Sequence, residues 1–211
     1  MPESAYRMFQ SHPASAMPME SPLAWSYQHT DLPKQDKQST VLLHERAFLG
    51  HLLLRGGAIA LDKALRSVLN LSLPARPLSL IVKEGYSVQW LAPDEWLLIV
   101  PQGEEFAVER ELREQLAGEH YAIVNVSGGQ TLFTLTGKNT LPVLMKSAVY
   151  DVHPANFPPG KGVTTVFANT PLALRRPDEA CWELVVRRSF ADYVFRWLLD
   201  AGAEYGINVA R

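Results

Sequence analysis

The 211-residue chain has one cysteine, Cys181. A single cysteine makes no internal disulfide and no cysteine-based zinc site. The six histidines are His12, His29, His44, His51, His120 and His153. No two of them stand at the i, i+4 spacing that puts two metal ligands on one helix face. An excess of one charge is lacking too. Twenty Lys and Arg face 22 Asp and Glu, for a formal net charge of −2. A dedicated nucleic-acid binder carries a basic excess, and an acidic disordered tail the reverse, so neither class is expected. Long apolar runs are missing. The longest, such as Trp96 to Pro101, suit buried strands and fall far short of the roughly 20 residues of a spanning helix. Residues 1–20 hold no apolar stretch of the about 7–15 residues that a secretory signal needs. The expectation is a cytoplasmic globular protein that meets neither nucleic acid nor membrane.

What is present is pattern. Residues 1–39 are rich in Pro, Ser, Gln and Met and follow neither a 3.6 nor a 2.0 period. They read as a flexible N-terminal arm. In an extended arm Leu23, Trp25 and Tyr27 would share one side and anchor it in a partner's groove. From Thr40 the order becomes regular. Short strands are predicted at 41–43 and 49–54, then a break at Arg55-Gly56-Gly57. Leu61, Ala64, Leu65, Val68 and Leu69 form the apolar stripe of a helix that Pro74 and Pro77 terminate. Strands near 78–82, 86–91 and 96–100 and a Glu-rich helix over 104–117 complete the first half.

The second half repeats the order. Strands are predicted at 122–126 and 130–136, then Gly137 breaks the chain. Leu141, Leu144, Met145, Ala148 and Val149 follow Gly137 at the offsets that Leu61, Ala64, Leu65, Val68 and Leu69 have from Gly57. Pro154-Ala155 matches Pro74-Ala75 at the same spacing. Pro177-Asp178-Glu179 and Trp182 echo Pro93-Asp94-Glu95-Trp96, and Leu184-Val185-Val186 echoes Leu98-Ile99-Val100. A closing helix is predicted over 189–201. The expected fold is α+β: two duplicated ββαβββα units, about 40–118 and 119–211, forming one pseudo-two-fold domain over 40–211, since neither half closes its own sheet edges.

Catalytic motifs fail one by one. Thr136-Gly137-Lys138 lies where a phosphate loop would, but Leu132 and Asn139 replace its first glycine and its hydroxyl. Gly160-Lys161-Gly162 falls short of a dinucleotide fingerprint and reads as a loop into a strand. Cys181 precedes Trp182 at the start of a buried strand and reads as a small hydrophobe. Ser127-Gly128-Gly129 reads as a turn whose glycines supply positive φ. Asp94-Glu95 and Asp178-Glu179 read as turn residues. Ser189 with Asp192 resembles a capping box. Phe190, Tyr193, Val194, Trp197, Leu198 and Ala201 form a stripe wider than a core needs, so part of it, with the paired Arg187 and Arg188, is expected to face a partner. No catalytic, cofactor-binding or metal-binding residue is expected on this chain.

Four runs in order carry a family resemblance: Leu54-Arg55-Gly56; Pro93-Asp94-Glu95-Trp96-Leu97-Leu98; His153-Pro154 with Phe157-Pro158-Pro159-Gly160; and Arg187 to Tyr193 with Trp197-Leu198. Together, from about Ser21 to Gly206, the chain resembles the gamma subunit of heterotetrameric sarcosine oxidase. The resemblance implies the fold of the glycine-cleavage T-protein and a bacterial complex with alpha, beta and delta subunits. That complex demethylates sarcosine oxidatively to glycine, releases hydrogen peroxide and passes the one-carbon unit to tetrahydrofolate. FAD, FMN, NAD, zinc and tetrahydrofolate would belong to the partner subunits. Folate-dependent relatives carry an acidic pair in a hairpin where this chain reads Asn169-Thr170-Pro171, and the related iron–sulfur repair proteins carry a cysteine where it reads Lys161-Gly162-Val163. The expectation is a non-catalytic structural subunit docked chiefly on alpha. The interface set is Leu23, Trp25, Tyr27, Arg55, Trp96, Arg187, Arg188 and Trp197. The alternatives are a stand-alone folate-binding or aminomethyltransferase-like protein and a general interaction module using the arm.

Overall fold

The computed structural model describes residues 19–210. A short helix α1 (Ala24–His29) leads into β1 (Val41–Arg46), β2 (Gly50–Gly56), α2 (Ala58–Leu69), β3 (Leu80–Lys83), β4 (Tyr86–Ala92), β5 (Glu95–Val100) and α3 (Glu105–Gln115). The same order then runs through β6 (Tyr121–Asn125), β7 (Gln130–Thr136), α4 (Thr140–Met145), β8 (Lys161–Phe167), β9 (Thr170–Arg176), β10 (Cys181–Arg187) and α5 (Ala191–Gly202), and ends in a further strand, β11 (Ile207–Ala210).

These strands make two sheets. One has the order β11-β1-β7-β10-β9-β8 and the other β3-β4-β5-β2-β6. The first strand of each half therefore lies in the other half's sheet. β1 pairs antiparallel with β7, and β6 pairs antiparallel with β2. The sheets stack face to face with helices outside. In β5, Trp96, Leu98 and Val100 pack under α2 and α3. Leu97 and Ile99, on the opposite face, meet Leu132 of β7 and Val185 of β10 between the sheets. Strands covered on both faces read as continuous apolar runs, which is why Trp96 to Val100 has no polar alternation. The third layer, under α5, holds Phe133, Leu135, Leu184, Val194, Phe195 and Leu198. Backbone hydrogen bonds from Leu80 N–H to the Gly160 carbonyl and from Gly162 N–H to the Leu78 carbonyl stitch the edge of one sheet to the edge of the other.

Two glycines permit the strand exchange. Gly137 ends β7 at φ 110°, and a Cβ there would stand 2.2 Å from the Thr40 carbonyl oxygen, at the entry to β1. Gly56 ends β2 at φ 151° with a Cβ position 3.1 Å from the His120 carbonyl, at the entry to β6. Gly56, not Gly57, is thus the counterpart of Gly137.

The structure corrects several expectations. Leu23, Trp25 and Tyr27 do not lie on an extended segment. Ala24–His29 is a helix, Leu23 is buried, and Tyr27 packs edge-on against Phe195. Six residues are too few to display a helical period. The helix is held by tertiary bonds instead: the Ser26 hydroxyl donates to Asp192 at 2.6 Å, and the Ser21 hydroxyl donates to Glu45 at 2.6 Å. The expected arm's residues 1–18 lie outside the described residues. The helix after Gly137 stops at Met145, because the chain next pairs with the β8 hairpin: Ala148 bridges Phe167, and Val149 N–H donates to the Val166 carbonyl. Its buried residues are Thr140, Val143 and Leu144, one position off the expected stripe, so Met145 and Val149 are exposed. Ser189 caps nothing; α5 starts at Ala191 without a side-chain cap, and Asp192 is bonded to Ser26 and Arg196. Gly128 and Gly129 lie in a 3₁₀ turn and outside the positive-φ region.

The close approach at Gly137 yields a prediction. Gly137→Ala adds a backbone clash to an unfavourable φ and lowers stability by about 3 kcal/mol or more. Gly128→Ala, with open space around its Cβ position, changes stability by less than about 0.5 kcal/mol. Urea unfolding of both variants measures the contrast.

Candidate functional site

Three features present chemistry. The first is an aromatic surface on the helix layer of the six-stranded sheet. One side of α5 buries Val194, Phe195, Leu198 and Ala201. Its outer side leaves Tyr193 41% and Trp197 38% exposed. Their rings lie 6.0 Å apart, and Trp197 Nε1 donates to the Ser147 hydroxyl at 2.6 Å. Met145 and Val149, on either side of Ser147, extend the apolar surface. On α1, Trp25 is 58% exposed with His29 stacked on it at 4.3 Å. Arg187 and Arg188 precede α5 and are exposed; Arg188 Nη2 donates to the Glu20 carbonyl at 3.0 Å.

The second feature is a polar cluster between the sheets. Arg175 of β9 donates through Nε and Nη2 to Glu183 of β10, and through Nη2 to the Ser87 hydroxyl of β4 across the interface at 2.9 Å. Gln89 lies over Gly162, where a Cβ would stand 2.8 Å from its amide carbon. His51, fully buried, has Nδ1 2.9 Å from the Leu49 carbonyl. A carbonyl only accepts, so Nδ1 carries a proton and donates it there. Burial holds the imidazole down at about 4; the Leu49 carbonyl pulls it up, and the nearby Arg175 charge pushes it further down.

The third is a cleft of about 440 Å³ at the end of the six-stranded sheet, lined by Gly137, Lys138, Thr140, Arg176, Glu179 and Trp182 among others. Arg176 lies over the Trp182 ring at 5.2 Å, donates through Nη1 to the Phe157 carbonyl at 2.8 Å and through Nη2 to the Glu179 carboxylate at 2.6 Å. At Cys181, beside it, burial pushes the thiol up to about 12, with Glu183 and Asp178 adding to the rise. Among the described residues no three of His, Cys, Asp and Glu gather as a metal site, and no helix is long and apolar enough to cross a membrane.

The expected interface set separates. Trp25, Arg187, Arg188 and Trp197 stand on one helix layer and are exposed. Arg55 is exposed in the other sheet, near Asp94 and Glu95 at 3.7 and 3.8 Å. Leu23 and Trp96 are corrected: both are buried in the chain's own cores, with Trp96 Nε1 donating to the Pro74 carbonyl. Tyr27 is largely taken up by Phe195. Sequence reasoning missed the inter-sheet cluster and the cleft. The signal for the cluster was available: Arg175 and Glu183 interrupt apolar strands at positions that pair across neighbouring strands. The cleft had none, because its walls come from three stretches far apart in sequence: 137–141, Pro154 and 176–182.

The fold sets the class. The chain superposes on the aminomethyltransferase T of the glycine cleavage system from Bartonella henselae with a TM-score of 0.63 over 98% of this chain and 57% of that chain, at 14% identity, which establishes the fold alone. Within that fold the chain belongs to the sarcosine oxidase, gamma subunit family, whose model matches residues 55–204. It is 38% identical over 122 residues to the sarcosine oxidase subunit gamma of Corynebacterium sp. (strain P-1), and 36% identical over 122 residues to that of Arthrobacter sp. Each alignment covers 58% of this chain and 59% of the relative, so the chain spans less than two thirds of the length of these relatives. A chain of the heterotetrameric sarcosine oxidase from Corynebacterium sp. U-96, solved with pyrrole 2-carboxylate, superposes with a TM-score of 0.79 at 29% identity, over 92% of this chain and 99% of that chain.

His51 makes stability depend on pH. Its folded pKa lies near 4 against 6.5 ordinarily, so between these values only the unfolded chain takes up the proton. Stability is full above about pH 7 and falls by about 2 kcal/mol on going to pH 5. His51→Leu removes that part of the slope. Urea midpoints at the two pH values, for both proteins, check it.

Proposed function

We propose that this chain is a non-catalytic gamma-type subunit of a sarcosine oxidase complex in the cytoplasm, docked chiefly on the alpha subunit, with beta and delta subunits completing the assembly. The complex would demethylate sarcosine to glycine, pass the one-carbon unit to tetrahydrofolate and release hydrogen peroxide. FAD, FMN, NAD, zinc and tetrahydrofolate would reside on the partners. The observation that carries the reading is the near end-to-end superposition on a chain of a heterotetrameric sarcosine oxidase. The β8–β9 hairpin turns at Ala168 and Asn169, both at positive φ, and presents no carboxylate for folate chemistry, so the stand-alone folate reading finds no support there.

The repeated element order and the exchanged first strands support two further parts of this reading. The chain is an internal duplication about a pseudo-two-fold axis, and residues 40–211 are one domain. The docking surface is the aromatic helix layer: Trp25, Tyr193 and Trp197, with Arg187 and Arg188 beside them. Aromatic and Arg side chains are the types enriched where interfaces concentrate their binding energy. Arg55, on the other sheet, contributes less.

Co-expression decides the main point. With all four subunits an active, stable complex forms; without this chain the yield of assembled enzyme collapses. Equal activity and stability in its absence would refute the subunit role. Trp197→Ala, Arg187→Ala and Arg188→Ala lower pull-down yield on the partner subunits by about tenfold while shifting the melting temperature of the free chain by less than about 3 °C. Ile59→Ala, on the opposite helix layer, leaves both unchanged.

A further inference from the structure

Subunit assembly leaves the cleft beside Trp182 unexplained. Its floor and sides are apolar, formed by Trp182, Leu141 and Pro154, and its charged groups are Lys138, Arg176 and Glu179. Arg176 is only 6% exposed, and its Nε has no hydrogen-bond partner. Thr140, also buried, turns an unpartnered hydroxyl oxygen inward, sealed from solvent. Arg176 is thus a buried charge in the wall of an open concavity, and charged side chains are seldom so buried without a dedicated partner.

The matched place in the other half is closed. There Pro74 sits on Trp96, its carbonyl accepting the indole N–H at 3.1 Å. In the second half Pro154 and Trp182 both line the opening. The volume of about 440 Å³ falls in the range of about 300–1,000 Å³ typical of small-molecule sites.

We propose that the cleft binds a small flat carboxylate. Glu179 shows how. Its side chain is 80% exposed, yet its carboxylate rests on Arg176 Nη2 at 2.6 Å. It holds the place of a ligand carboxylate on the buried guanidinium. An ion pair with so exposed a partner adds little stability and is readily exchanged. With Glu179 swung into solvent, the cleft presents Arg176 and Lys138 to an incoming monoanion, and the ligand's flat body lies against Leu141, Pro154 and the small part of Trp182 that reaches the cleft. Phosphate fits poorly, since Arg176 already commits Nη1 to the Phe157 carbonyl and most of the remaining wall is apolar.

The test uses the full chain and, as probe, pyrrole 2-carboxylate, the small carboxylate with which the heterotetrameric enzyme from Corynebacterium sp. U-96 was solved. The readout is the Trp182 indole N–H resonance, assigned with Trp182→Phe. The carboxylate shifts this resonance saturably. Glu179→Gln, which removes the competing group, binds three- to tenfold more tightly, and Lys138→Gln binds more weakly by about the same factor. Lys138 is exposed, so this loss is read in a folded protein, as the unchanged remainder of the spectrum verifies. The neutral pyrrole-2-carboxamide gives no saturable shift, and inorganic phosphate binds at least tenfold more weakly. No saturable shift in either the wild type or Glu179→Gln overturns the proposal. So does equal binding of the amide, or of phosphate.

Discussion

The exchange of first strands is the constraint from which the rest of the architecture follows. β1 closes the sheet of the second half and β6 closes that of the first. Each transfer brings two backbones close: a Cβ at Gly137 would stand 2.2 Å from the Thr40 carbonyl oxygen, which no side chain tolerates, and one at Gly56 would stand 3.1 Å from the His120 carbonyl oxygen, a tight contact. Separated, either half would leave the strand now paired with its exchanged partner, β7 or β2, open to solvent, and open edges invite misassembly. Sheet closure, the stacked apolar layer of Leu97, Ile99, Leu132 and Val185 and the two outer helix layers therefore all draw on both halves of the chain.

Matched positions then carry different surfaces. α3 occupies in the first half the place of α5 in the second, but its exposed side is charged, with Arg110, Glu111 and Glu114. The outer side of α5 carries Tyr193 and Trp197. Charged side chains belong on a face that stays wet, aromatic ones on a face that is covered.

The fold was legible wherever local pattern and tertiary packing agree. The run Trp96 to Val100 is apolar because both faces of β5 are covered, and the stripe Leu61, Ala64, Leu65 is buried as its spacing requires. Reading failed where tertiary contact overrides local signal. α1 is six residues held by Ser26 on Asp192, without a period of its own. The stripe after Gly137 was displaced by one residue because Thr140, a polar residue, faces inward and Met145 outward. A β-pairing at Ala148 ended that helix, and no periodicity announces a partner strand 19 residues further on. Of the interface set, the exposed residues near α5 were readable as a surplus of aromatics. Trp96 was not separable from them, since a core anchor and a docking anchor have the same side chain.

The inner faces of the sheets show why the two halves are not interchangeable. In strand pairing, Gln89 stands to Leu97 in one sheet as Arg175 stands to Glu183 in the other. One sheet thus offers an amide and an aliphatic residue where its counterpart offers a buried ion pair. Arg175 also reaches across the interface to Ser87. An ion pair kept dry contributes little net stability over apolar packing, but one that also bonds across an interface fixes how the two surfaces sit. Sliding one sheet over the other would strip Ser87 from the guanidinium and drive Gln89 against the backbone at Gly162, where there is no room for even a methyl group. The polar corner thus sets the register that the apolar layer alone leaves loose.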